Sequence, residues 1–465
     1  IGFLLVMNLN IVKLSDLFDK KRMDSEYFSA ELINEEKSIK EGKLFEDYFK
    51  VLGDKFDKSK YDKATFNYLE ISGIDVYSGN YVTDIHKTDL APSRATKLAK
   101  PGAVVVSSVR PYRSGVAIIQ KECVCSSGFI LFEPIGDISK EELFLYLKSD
   151  LFKRQISRRT RATMYPAVDE IDFKDLVLPN LDYSFSQEIK TKIPSIYSLE
   201  EKKLKIEDET KKAVNLFLSN YFKCLDIDSI KNLSISEIDI STLFQDKENR
   251  IDSEFYHKFY LSMEEFFLKS GDFFYLKDYF KTIFKGNTPS KNEQTESDFG
   301  YSIIKANALS DTGLNFFKRE PITEDFFKKS ISKLTQHLDI LILSDAHSQD
   351  HIGKKINIIT EDESLLESVI TSGELITIRG SKLSKGLILY LYFFLGSRYG
   401  YLSIQRQVRG ITSHLYPNDV LEIKIPEPDK QLLRTIEQNF KNINELDKEK
   451  KQILKKLLDK YDEFI

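Results

Sequence analysis

The chain repeats itself, and that constrains its fold more than any other feature. Arg22-Met-Asp-Ser-Glu-Tyr-Phe28 returns as Arg250-Ile-Asp-Ser-Glu-Phe-Tyr256, and Asp47-Tyr-Phe-Lys50 returns as Asp278-Tyr-Phe-Lys281. Ala103-Val-Val-Val-Ser107 matches Ile340-Leu-Ile-Leu-Ser344, two short apolar runs of the kind that form buried strands. Ser126-Ser-Gly128 matches Thr371-Ser-Gly373, and Leu143-Phe-Leu-Tyr-Leu147 matches Leu387-Ile-Leu-Tyr-Leu391. Tyr165-Pro166 pairs with Tyr416-Pro417, and Pro179-Asn-Leu-Asp182 with Pro426-Glu-Pro-Asp429. The order is the same in both copies, while the separation drifts as loop insertions require.

After each copy comes a long charged stretch with an apolar stripe. Ile189, Ile193, Ile196 and Leu199 recur at helical spacing, and so do Ile436, Phe440, Ile443 and Leu457. A stripe this long needs a partner, so the two stretches are expected to pair as antiparallel helices. Pro194 should kink the first helix or mark its first turn. The expected fold is mixed α/β, of the α+β class, with two pseudo-repeated globular domains separated by a helical coiled coil. The boundaries read as a lead-in over 1–42, a first domain over 43–182 and a first long helix over 183–222. A connector and second lead-in over 223–270, a second domain over 271–429 and a second long helix over 430–465 follow.

Composition limits the function classes. Sixty-eight basic residues against seventy-two acidic ones leave a net charge of −4, so a nucleic-acid surface would have to be local. Three cysteines cannot build a disulfide framework and suit a cytoplasmic setting. Cys123 and Cys125 are read as lying on opposite faces of a strand and so unable to chelate together. No apolar run is long enough to span a bilayer, so no membrane partner is expected.

Two divergent mixed domains, each ended by a proline-bearing strand (Leu178-Pro179, Ile425-Pro426) and then a glutamine-led helix (Gln187, Gln431), resemble the specificity subunit of type I restriction–modification systems. Gln187 lies further from its proline than that family's pattern has it. The resemblance implies a non-catalytic reader of double-stranded DNA with two target-recognition domains, one for each half of a bipartite target. It implies a helical spacer that docks two adenine methyltransferase subunits and, through them, restriction/translocase subunits. About 35 helical residues span on the order of 50 Å, comparable with one to one and a half DNA turns of roughly 34 Å. The rival reading is a coiled-coil scaffold whose two domains bind proteins.

Candidate DNA contacts follow the local positive charge. The first half carries Lys148, Lys153, Arg154, Arg158, Arg159 and Arg161 in one short run, and Arg110 and Arg113 in a loop after an apolar strand. The second half carries Arg398, Gln405, Arg406 and Arg409, with Arg379 and Lys382 in a further basic turn. Arginine and glutamine suit phosphates and base edges. Replacing Arg406 and Arg409 is accordingly expected to weaken DNA binding and leave assembly intact. Catalytic chemistry is not expected. The chain has no glycine-rich cofactor loop and no Asn/Asp-Pro-Pro-Tyr methyltransferase signature, and neither the His347/His351 pair nor Glu422-Ile-Lys424 forms a metal or nuclease site. No cofactor or metal is therefore assigned.

Overall fold

The computed structural model describes residues 27–39, 42–160, 166–231, 235–238, 250, 252–295, 300–310, 313–360, 366–380, 382–410 and 413–464. The chain divides into two compact units, one of residues 1–202 with 445–465 and one of residues 203–444.

In the first unit the strands are β1 (Lys43–Leu44), β2 (Phe49–Val51), β3 (Thr65–Leu69), β4 (Asp84–Lys87), β5 (Ala95–Ala99), β6 (Val104–Ser107), β7 (Val116–Ile118), β8 (Cys123–Ser126), β9 (Phe129–Pro134) and β10 (Val177–Leu178). One sheet runs β2-β9-β6-β7, antiparallel throughout. The other runs β4-β3-β8-β5, with β3 and β8 parallel and the outer pairs antiparallel. β1 closes on β10.

Successive strand residues face opposite ways, and this sorts the apolar run at Val104 into two cores. Val104, Val106, Ile130 and Phe132 pack against Leu143, Leu147, Phe152 and Ile156 of helices Lys140–Lys148 and Asp150–Arg159. Val105, Phe129 and Leu131 turn the other way, onto Leu69, Cys123 and Cys125. The cysteines correct an expectation: residues two apart on a strand share a face, and their sulfurs lie 3.9 Å apart in that core. Serine side chains start both helices. Ser139 forms a capping box with Glu142, and Ser149 caps Phe152.

The second unit repeats the plan. Its strands are β11 (Phe273–Tyr275), β12 (Thr282–Lys285), β13 (Ser302–Ile304), the hairpin β14 (Leu309–Ser310) and β15 (Gly313–Leu314), β16 (Glu320–Pro321), β17 (Ile340–Leu343), β18 (Ile356–Ile358), β19 (Val369–Thr371), β20 (Leu375–Arg379) and β21 (Lys424–Pro426). β12-β20-β17-β18 form an antiparallel sheet. β16-β13-β19 form another, with β13 and β19 parallel, and an isolated Leu334–Ile370 bridge stands where β5 pairs in the first copy. β11 pairs with β21 as β1 does with β10. Helices Lys385–Leu395 and Arg398–Gln407 follow, started by Ser384 and Ser397.

The likeness extends to single hydrogen bonds. The Phe45 amide donates to Leu176 as Leu276 does to Ile423, and Val168 donates to Ser108 as Leu415 does to Ser344. That register corrects three sequence matches: it sets Ser344 level with Ser108 rather than Ser107, Glu374 rather than Gly373 level with Gly128, and Leu415 level with Val168. Tyr416-Pro417 therefore cannot be the counterpart of Tyr165-Pro166; Pro417 opens a short helix, whereas the Pro166 carbonyl accepts from Arg110.

One long helix spans Tyr183–Tyr221 and the other Lys430–Asp462. Pro194 lies inside the first, well beyond its first turn. In the first unit Phe185, Ile189, Ile193 and Ile196 share a core with Leu454, Leu457 and Tyr461, and Lys460 bonds Glu188 at 2.7 Å. In the second unit Val214, Leu218 and Phe222 share a core with Leu432 and Ile436, Phe440 packs half-buried against it, and Asn439 donates to Thr210 at 2.9 Å. Leu199 and Ile443 are also buried. These pairings run in opposite directions along the two helices, so the pair is antiparallel. Between the apolar stretches a buried Lys450 joins Glu200 and Asp447.

Candidate nucleic-acid interface

The basic run of the first half follows helix Asp150–Arg159, and the face each residue occupies decides its fate. Arg158 and Arg159 point inward. Arg158 Nη2 meets Glu36 Oε2 at 2.6 Å, and its Nη1 donates to the Tyr27 carbonyl at 2.8 Å. Arg159, only 1% exposed, bonds Glu36 at 2.7 Å and Asp175 at 2.9 Å. Arg154 pairs with Glu35 at 2.6 Å, and Lys153 pairs with Asp150 at 2.7 Å. Arg161 lies outside the described residues.

The second half repeats this cage with its own residues. Arg406 pairs with Glu264 at 2.8 Å, and its guanidinium lies 4.5 Å from the Phe255 ring centre. The guanidinium of Arg158 lies 4.7 Å from the Tyr27 ring in the same way. Tyr27 and Phe255 occupy the same position of the repeated Arg-x-Asp-Ser-Glu motif. Arg406 thus already holds a partly buried acidic partner, so its replacement bears on stability as well. Arg379 forms a fork with Asp339 at 2.7 and 2.9 Å, and burial raises the Asp339 pKa despite that partner. Gln405 is buried and donates to the carbonyls of Gln349 and Ile352 at 3.0 and 2.8 Å, holding the loop after β17. Arg398 reaches Asp228 at 2.6 Å while staying exposed. Arg409 reaches Asp419 at 2.9 Å.

Arg110, Arg113 and Lys382 differ from all of these. Arg113 and Lys382 are exposed and Arg110 half-exposed, and none of the three side chains has an ion-pair partner among the described residues. The Arg110 loop is also tied down by its own backbone. Its amide donates to Pro166 at 2.8 Å, and residues 111–113 form a 3-10 turn bracketed by Arg110 at φ 49° and Ser114 at φ 53°. Left-handed backbone at a residue with a side chain costs on the order of 1–2 kcal/mol. It persists where the surroundings over-determine it and where presentation of a side chain is at stake. Sequence reasoning missed Arg94, exposed and tied through its carbonyl to the Ser127 amide at 2.7 Å; Gly128 next to it accepts from Ser108 at the root of the same loop. It also missed the loop after β12. A Cβ at Gly286 would stand 1.9 Å from the Thr371 carbonyl oxygen, so that position requires glycine. The Gly-Asn-Thr-Pro-Ser composition of 286–290 is the signal that could have shown it.

Lys148 belongs to the basic run by sequence but is buried. Its ammonium donates to the carbonyls of Val76 at 2.7 Å and Ser114 at 3.0 Å, directly behind the Arg110 loop. Burial lowers its pKa to about 7, with Asp75 opposing the fall. Between about pH 7 and the ordinary lysine range, the unfolded chain holds a proton that the folded one does not. Stability of the first unit should therefore rise with pH across that window. Lys148→Met should remove the rise, as denaturant melts at pH 7 and about pH 9 would measure. A wild-type slope that survives the substitution would assign the titration elsewhere.

No family model matches the sequence, and neither does any curated protein. Solved chains that match it over about nine tenths of its length include an HsdS subunit and the S subunit of a type I restriction–modification system. The HsdS subunit from Thermoanaerobacter tengcongensis is 16% identical at a TM-score of 0.30, covering 89% of this chain and 96% of that one. The S subunit from M. genitalium is 13% identical at a TM-score of 0.32, covering 91% and 94%. A chain solved in work on complex assembly and conformational transition of the type I R-M system is 16% identical at a TM-score of 0.30, covering 90% and 97%. No described helix is long and apolar enough to cross a membrane.

Proposed function

We propose that this chain is a sequence-specific DNA-reading subunit of the type I restriction–modification kind. Each domain reads one half of a bipartite duplex target, and the paired helices set the gap and dock methyltransferase subunits, which supply the chemistry. The observation that carries this reading is the duplication, which holds at the level of strand order, strand direction and single hydrogen bonds. Two copies of one fold with different loops are what a reader of two different half-sites needs. Arg110, Arg113 and Arg94 in the first domain, and Lys382 with Arg409 in the second, are the contacts this reading favours. The buried arginines serve as framework.

Mapping methylated adenines in the source genome tests the proposal: a two-part motif with a fixed gap is expected, and its loss on deleting this chain. The internal neutralisation of most basic candidates favours the scaffold reading, and salt dependence separates the two. Duplex binding should weaken steeply as salt rises, and Arg110→Gln with Arg113→Gln should lower the slope of log affinity against log salt by about two, near one per lost phosphate contact. Affinity indifferent to salt would support the scaffold.

A further inference from the structure

The second lead-in motif does more than precede its domain. Arg250 is buried; its Nε and Nη2 fork onto Asp252 at 2.9 and 2.5 Å, and its guanidinium lies 4.3 Å from the Phe255 ring. The remaining donors reach back to the end of helix Arg398–Gln407. Nη1 bonds the carbonyls of Arg406 and Gln407, each at 3.3 Å, and Nη2 bonds that of Val408 at 3.0 Å. Carbonyls at a helix C-terminus lack intrahelical donors and carry the negative end of the dipole, so a buried cation there holds the end in place.

The next residue along is Arg409. It exchanges two backbone hydrogen bonds with His414, at 3.0 and 2.8 Å, with Gly410 at φ 88° and Ser413 at φ 36° turning the chain. His414 meets Asp345 at 2.5 Å, and Lys285 meets the same carboxylate at 2.6 Å. Burial opposes ionisation of Asp345, yet hydrogen bonds from Lys285, Ser344 and His414 together hold its pKa below the ordinary value. The Arg409 guanidinium lies 4.8 Å from the ring of Tyr416, itself 41% exposed. The hairpin base is thus gripped from behind by Arg250 and from the side by Asp345.

We infer that Arg250 is a positioning residue for readout by the second domain: it fixes where Arg409, His414 and Tyr416 stand, without touching the duplex. This rests on the DNA-reading proposal above. The planar fork matters, because a lysine cannot bond Asp252 and three carbonyls at once.

The test is the methylated-adenine map of source cells carrying full-length Arg250→Gln, read beside wild type and Arg110→Gln. In Arg250→Gln, one half of the motif should lose discrimination about tenfold or more per base, in line with the worth of a bidentate contact, while the other half is unchanged. Arg110→Gln should relax the opposite half. Should Arg250→Gln fail to accumulate, Arg250→Lys gives the same reading, since charge survives and the fork does not. A motif unchanged in both halves overturns the inference, and so does equal loss in both halves from a chain that melts like wild type. If wild type itself shows no two-part motif, the DNA-reading proposal falls instead.

Discussion

Glu36→Ala should destabilise the first unit by about 3–5 kcal/mol, the usual cost of removing one partner from a buried ion pair. Glu36 meets both Arg158 and Arg159, whose side chains are 7% and 2% exposed, so its removal strands charge that water cannot reach. Asp175 still holds Arg159 Nε, and the Tyr27 carbonyl still accepts from Arg158, which keeps the loss below that of two abandoned cations. The neighbouring Glu35→Ala is the control. Its partner Arg154 is 42% exposed, and such pairs contribute roughly 0–1 kcal/mol. Glu264→Ala should reproduce the large effect in the second unit, where Arg406 and Lys424 both depend on that carboxylate. Burial already lowers the Lys424 pKa to about 8, so Lys424 can shed its proton and Arg406 cannot. Hydrogen exchange localised to 150–159 or 398–407 would read the two units separately. Equal small losses for Glu35 and Glu36 would mean the cage holds nothing.

The duplication was legible because its carriers are local: a few consecutive residues in a motif, a strand run or a helix. The stripe residues were legible for the same reason, since periodicity is written in near neighbours. The basic run was legible as charge and misleading as surface. Arg154 and Arg158 sit one turn apart on one helix face and Arg159 beside them, but the glutamates they meet come from the lead-in helix Ala30–Ser38, far away in sequence. Nothing local distinguishes an arginine awaiting phosphate from one awaiting a distant glutamate. The Tyr-Pro match failed differently: two residues coincide by composition while the hydrogen-bond register sets them out of step. The Arg110 loop was visible as an arginine-bearing turn, but its left-handed backbone was not, because residues distant in sequence, Pro166 and Lys148, bond the loop there.

Ile436→Ala should cost about 2–5 kcal/mol, the range for truncating a fully buried aliphatic side chain, because cavity cost adds to lost transfer energy. Ile436 is 0% exposed and joins the second long helix to Leu218 and Val214 of the first. Ile189→Ala and Ile193→Ala should cost as much in the first unit, where each is also 0% exposed and meets the layer of Leu454, Leu457 and Tyr461. Phe440, half-buried, should lose less than Ile436 although it is larger, which separates burial from size as the cause. Replacing Ile436, Phe440 and Ile443 together with serine should part the helices. On the DNA-reading proposal that abolishes methylation of every sequence, whereas Arg250→Gln changes which sequence is methylated. Between the apolar layers Lys450 is buried against Glu200 and Asp447, and Asn439 bonds Thr210, so the middle of the pair is matched by polar partners that tolerate no slippage. A single polar residue in such a seam sets register at some expense of stability. Replacing Lys450, Glu200 and Asp447 together with apolar residues should therefore leave the melting transition intact or raise it, since well-packed apolar residues can replace a buried ionic group without loss. If the same variant blurs the gap between half-sites in the methylation map, the polar middle is what fixes the spacing.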